Sequence, residues 1–170
     1  MKRALVFFAA FTVVAAVASA QTPVDDRLLS FRLTGSVITL GDPSAGPFQV
    51  MAQYGGKGTA GQITGNGFYF YQQVAASGQM VVAAAQSMIR VEATGDVLLL
   101  NVTPGPTGVL SPGPAAGMLV WTQTWHGMVV GGTGRFAGAT GTFSKTLTGF
   151  LVLPGFVSPF EGTLEVCLDR

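Results

Sequence analysis

Cysteine is nearly missing: Cys167 stands alone in 170 residues, so no disulfide can form within the chain and core packing must hold the fold. As a nucleophile Cys167 would have only His126, the single histidine, for an imidazole base, and we read it as a small strand residue instead. Charge is scarce as well. Nine basic and eight acidic residues are spread thinly with no basic cluster, which excludes the electrostatic footprint of a nucleic-acid-binding protein. Neither zinc-type Cys/His spacing nor the D-x-D-x-D-G grouping of a calcium loop occurs, so no metal and no cofactor are expected. Apolar residues do not recur at helical spacing under capping signals, which argues against α-helix.

What the chain does have begins with an export leader. Lys2 and Arg3 form a charged start, Ala4 to Ala18 is uncharged and mostly apolar, and Ala18-Ser19-Ala20 fits a small-residue cleavage site. The apolar run has 15 residues, short of the ~20 that a membrane-spanning helix needs, so stable membrane insertion is not expected. Residues 1–20 therefore read as a cleaved signal peptide and 21–170 as one secreted or periplasmic domain, a common size for a single core. Loss of Lys2 and Arg3 with the leader leaves seven basic residues against eight acidic ones, a net charge of −1.

From Leu28 onward the pattern has period two and is broken by glycine and proline every ten or so residues. Strands are expected at about 29–40, 48–54, 62–73, 87–94, 97–103, 118–130, 141–153 and 160–168. Val74 to Ala85 reads as loop with a short strand near Met80 to Ala84, and Pro154 to Pro159 as a turn. Thr103 to Gly117 holds Pro104, Pro106, Pro112 and Pro114 with four glycines, and predicts a loop, since such prolines cannot sit within a fully bonded ladder. Phe68 to Tyr71 is aromatic on both faces, and Leu98 to Leu100 apolar on both, which implies two-sided burial or an interface. About eight strands predict an all-β fold, a small closed antiparallel barrel, because closure removes the exposed edges.

The glycine corner Val129-Val130-Gly131-Gly132-Thr133-Gly134-Arg135-Phe136-Ala137-Gly138-Ala139-Thr140-Gly141 joins the two best-patterned strands. Gly131, Gly132 and Gly134 can supply positive φ there, Gly138 and Gly141 can let the chain pass close to its neighbours, and Phe136 can plug one barrel end. This stretch resembles the G-G-T-G-x-F-x-G-A-x-G segment of the allene oxide cyclase and dirigent barrel families and their bacterial relatives. Phe160-Glu161-Gly162-Thr163-Leu164 is similar to the closing strand of the bacterial members. The resemblance covers some 35 residues and implies an eight-stranded barrel with an apolar cavity, often trimeric, that in plants cyclises an oxidised fatty acid or guides phenoxy-radical coupling.

The candidate site comes from alternation. Trp121, Gln123 and Trp125 share one face, two flat apolar surfaces with an amide between them. Counting from Phe143 and Leu147 turns Lys145 inward, where a lysine needs a partner or loses its proton. Tyr69 and Tyr71 can add phenols, although Phe68 and Phe70 beside them leave the face undecided. No catalytic set emerges. The expected function is binding of an apolar small molecule inside the barrel, with cyclase-type isomerisation of an oxidised lipid or phenolic as one alternative and a structural or surface-interaction module, assembled as a homo-oligomer, as another.

Overall fold

The computed structural model describes residues 27–43, 45–152 and 157–169. The leader at 1–20 and the turn around Pro154 lie outside them. Nine strand segments follow one another: β1 (Leu28–Leu40), β2 (Phe48–Gly58), β3 (Gly61–Tyr71), β4 (Gln79–Val91), β5 (Val97–Val102), β6 (Gly105–Pro112), β7 (Met118–Gly132), β8 (Gly141–Val152) and β9 (Val157–Leu168). A 3₁₀ turn at Gly134–Phe136 fills the corner before β8, and no α-helix occurs among the described residues.

All pairings are antiparallel and they close on themselves. Sequential neighbours pair from β1 to β4, β7 pairs with β8, β8 with β9, and β9 returns to β1. The remaining gap between β4 and β7 is filled by β5 and β6 together: β5 bonds one half of each neighbour and β6 the other half. The two segments act as one broken stave, and the fold is a closed eight-stranded antiparallel barrel.

That broken stave corrects the expectation of a loop over Thr103 to Gly117. Pairing of β6 with β4 runs from Gly105 to Val109, whereas pairing with β7 begins only at Gly108. Pro106 and Pro112 each sit where just one neighbour is in register, so a missing N–H costs little. Pro159 uses the same device at the start of β9, opposite Ser36 but beyond the end of the β8 ladder, so strand already covers 157–159 where a turn was expected. The short strand expected near Met80 to Ala84 is present but does not stop there, since β4 runs unbroken from Gln79 to Val91. Its alanines and valines join Ser87 to Val91 in one long strand, because β3, β5 and β6 offer partners along its whole length.

Alternation puts one face of every stave into a single core that includes Leu29, Phe31, Leu33, Ile63, Leu98, Leu100, Leu147 and Leu164. Phe68, Phe70 and Leu99 point outward and remain about half exposed, so two-sided burial does not hold within one chain. At the glycine corner Phe136 is buried in the core, as a plug would be. Two of the glycines exchange their expected roles. Gly132 serves close approach, since a Cβ there would lie 2.1 Å from the Val97 carbonyl oxygen, while Gly138 has φ of 72° with open space around it. The corner is also tied to the β4–β5 turn by Arg135 Nε, 3.5 Å from an Asp96 carboxylate oxygen.

Candidate functional site

Opposite the glycine corner, where the β1–β2, β3–β4 and β6–β7 turns gather, the barrel interior keeps a cavity of about 60 Å³. Its walls come from Val37 of β1, Phe48 and Ala52 of β2, Tyr69 and Tyr71 of β3, Met80 of β4, Leu110 of β6, Trp121, Gln123 and Trp125 of β7, and Ser158 of β9. Period two along β7 delivers its three members as the sequence predicts, all less than one-tenth exposed.

The polar groups of this wall bond one another. Tyr71 donates to Gln123 Oε1 at 2.6 Å and Thr107 to the same oxygen at 3.2 Å. Trp125 Nε1 donates to Tyr71 Oη at 3.2 Å, and the Tyr71 ring stacks on Phe48 with centroids 5.0 Å apart. Trp121 Nε1 donates to Ser158 Oγ at 2.8 Å, and the Ser158 hydroxyl donates in turn to the Phe150 carbonyl oxygen at 2.6 Å. Gln123 Nε2 has the weakest arrangement, donating to the Met80 thioether sulfur at 3.0 Å. Sulfur is a poor acceptor and methionine a flexible side chain, so this amide is the group on the wall best able to exchange its partner for a ligand oxygen.

A second polar layer lies deeper. Lys145 of β8 is fully buried, as its alternation predicts, and its Nζ donates a hydrogen bond to Tyr69 Oη. The same nitrogen lies 4.9 Å from the Tyr69 ring centroid and 5.3 Å from those of Tyr54 and Trp125. Tyr54 in turn is hydrogen-bonded to Ser87 Oγ at 2.6 Å, and Ser87 donates to the Asn66 carbonyl at 3.0 Å. Lys145 is not itself a wall of the cavity. The expectation of a lysine on the cavity surface is thus corrected: Tyr69 and Trp125 form the cavity floor and cover the amine beneath it.

No carboxylate is buried with it among the described residues; the other buried polar side chains there are Ser87, Thr107, Gln123 and Ser158. Desolvation therefore governs the titration of this layer. It lowers the Lys145 pKa, opposed by attraction to Tyr54, and it raises those of Tyr54, Tyr69 and Tyr71. No three His, Cys, Asp or Glu side chains converge among the described residues in a way that would hold a metal ion.

No family model, curated protein or solved structure matches the chain. The site is therefore read from its own geometry. That geometry brings Trp121, Gln123, Trp125, Tyr69, Tyr71 and Lys145 into one half of the barrel, and adds Tyr54, Ser87, Thr107 and Met80, which sequence reasoning missed. A signal for the tyrosines was present: Ile63, Gly65 and Gly67 alternate into Tyr69 and Tyr71, and an inward-facing Gly65 leaves room for Tyr54. A Cβ at Gly65 would lie 2.3 Å from the Tyr54 ring, and one at Gly67 would lie 2.7 Å from the Tyr69 ring.

Proposed function

We propose that this protein is an exported, secreted or periplasmic barrel, related to the allene oxide cyclase and dirigent barrels, that binds a small apolar molecule carrying one hydrogen-bond acceptor. The observation that carries this reading is the Gln123 amide on an otherwise apolar and aromatic wall, with a donor held only by the Met80 sulfur. An acceptor oxygen that displaced this sulfur would gain a full hydrogen bond while the rest of the ligand buried apolar surface.

Size favours binding over cyclisation. An apolar cavity of ~150 Å³ accommodates benzene, and drug-sized ligands occupy ~300 Å³ or more. A space of about 60 Å³ suits a few heavy atoms, and an oxidised fatty acid would require wholesale displacement of Phe48, Met80 and Leu110. The test is a titration of tryptophan fluorescence with the methyl ketones from acetone to 2-hexanone. Each buried methylene is worth ~0.8 kcal/mol, so affinity should tighten about four-fold per carbon until the space is full and then level off. Absence of saturable change across the series would defeat the reading.

A second reading, a surface-interaction module assembled as a homo-oligomer, is favoured by the outer wall. Val157, Ile38, Met51 and Phe68 lie in register across β9, β1, β2 and β3, with Leu40 and Phe70 one row further on. All but Met51 are more than two-fifths exposed in the single chain. Such a row is wide enough to mark an interface, and the family resemblance suggests a trimer. Analytical ultracentrifugation tests it: an oligomer that dissociates in Phe68→Lys/Phe70→Lys supports the module, and a wild-type monomer at every soluble concentration removes it.

A further inference from the structure

We infer that Lys145 is a carbonyl-capturing amine, which takes a small aldehyde from the cavity and holds it as an imine with Tyr69 as the proton-transfer partner. This rests in part on the binding reading above, because the same cavity delivers the carbonyl compound. The argument starts from what surrounds the nitrogen. Lys145 Nζ is buried among the faces of Tyr54, Tyr69 and Trp125, and among the described residues its hydrogen-bond partner is the Tyr69 hydroxyl. No carboxylate is buried beside it among the described residues. An ammonium ion held this way would have ring faces and a hydroxyl in place of a counter-ion, which offset only part of the cost of burying its charge and leave the neutral amine favoured. A leucine or methionine at 145 would fill the same volume without that cost, so packing does not account for the nitrogen.

Burial of a lysine among apolar groups is one of the ways proteins turn it into a nucleophile, since a neutral amine keeps its lone pair free for carbonyl carbon. The desolvation that lowers the Lys145 pKa acts in the same direction. The titratable groups facing it are Tyr54 from β2 and Tyr69 from β3, both with raised pKa values, so neither supplies an anion to hold the lysine protonated. Access is short. The Tyr69 and Trp125 rings belong both to the cavity lining and to the amine's cage, so one of them must swing aside for a carbonyl group in the cavity to reach Nζ.

The chemistry balances without an oxidant or reductant. The lone pair of Nζ adds to the carbonyl carbon, the carbonyl π pair moves to oxygen, and that oxygen takes the Tyr69 phenolic proton while the amine's proton returns to Tyr69. The carbinolamine then loses its hydroxyl group with one proton as water, leaving a carbon–nitrogen double bond to Lys145. Aldehyde and amine become imine and water, with Tyr69 restored.

The test treats the full-length mature protein at pH 7 with butanal and sodium borohydride, which fixes any imine as a stable secondary amine, followed by intact mass measurement and peptide mapping. The expected result is one butyl group per chain, located on Lys145 and formed roughly ten-fold or more faster than on any other amine of the chain. Tyr69→Phe should slow the labelling several-fold, and Lys145→Met should abolish it. Mapping in the wild type alone decides the matter if a variant fails to fold. Label on Lys57 or the N-terminus at a rate equal to or above that of Lys145 overturns the inference. Saturable ketone binding without label on Lys145 defeats the inference and leaves the binding reading standing, whereas label on Lys145 without saturable ketone binding does the reverse.

Discussion

Lys145 Nζ is hydrogen-bonded to Tyr69 Oη beneath the cavity floor, and the pair is buried without a carboxylate among the described residues. Its titration sets the first prediction. Burial lowers the Lys145 pKa from the ordinary 10.5, so over the range between its folded and unfolded values the unfolded chain binds a proton that the folded chain does not. Stability then rises with pH, by up to ~1.4 kcal/mol per pH unit. Tyr54, Tyr69 and Tyr71 act in the opposite sense above their ordinary value of 10.0, where the folded chain keeps protons that the unfolded chain loses. Urea unfolding should therefore show a stability that climbs through the mildly alkaline range and turns down above about pH 10. In Lys145→Met the climb should flatten, and the protein should be more stable at pH 7 by ~1–4 kcal/mol, because a buried amine without a counter-ion has been replaced by an apolar chain of similar volume. A lower Tm at pH 7 in this variant contradicts the account.

Gln123 joins three donors and acceptors, which makes its removal costly in a way its size alone does not explain. Gln123→Leu leaves the Tyr71 hydroxyl without its acceptor and strips Thr107 of one of its two, so a loss of ~1–3 kcal/mol is expected. Tyr71→Phe alone should cost about 1 kcal/mol. The double variant should cost clearly less than the two single losses together, because the partners no longer leave each other unsatisfied. Additive losses would mean that the Tyr71–Gln123 bond contributes nothing to the fold.

Phe136 tests the corner. It is buried in the core although it belongs to a single 3₁₀ turn, with the Arg135 guanidinium 4.8 Å from its ring centroid. Phe136→Ala should open the barrel end and cost ~3–5 kcal/mol, the usual price of an emptied aromatic site. A loss below about 1 kcal/mol, measured by urea unfolding, would show that the ring is not a plug.

Most of this barrel was legible from alternation alone. The strands that bury Trp121, Gln123, Trp125 and Lys145 follow period two without a break, so their inward faces could be counted. What was not legible depended on partners. Pro106 and Pro112 argue for a loop until it is known that β4 and β7 bond different halves of the stave. The face of Tyr71 could not be decided from four consecutive aromatics, because Phe68 and Phe70 are as apolar as residues of the core. The depth of Lys145 was also beyond reach, since period two gives the side of a strand and not the distance from the barrel mouth.

Glycine carried more of the answer than its role in turns suggests, and two substitutions separate its two uses. Gly138 has φ of 72° and nothing within 4 Å of the position a Cβ would take, so Gly138→Ala should cost about 1 kcal/mol, the strain of a left-handed backbone alone. Gly65 has no such backbone, yet a Cβ there would fall 2.3 Å from the Tyr54 ring and 2.8 Å from the Met88 carbonyl oxygen. The ring cannot retreat easily, because its hydroxyl is held by Ser87 and the ring meets Phe160 in a T-shaped contact with centroids 6.5 Å apart. Gly65→Ala should therefore cost more than Gly138→Ala, ~2–3 kcal/mol, as overpacking does in a filled core. It should also disturb the Lys145 cage, because Tyr54 forms one of its walls, and so slow aldehyde labelling of Lys145 while Gly138→Ala leaves that rate unchanged. Equal stability losses in the two variants would mean that the inward glycine of β3 is not what makes room for the tyrosine.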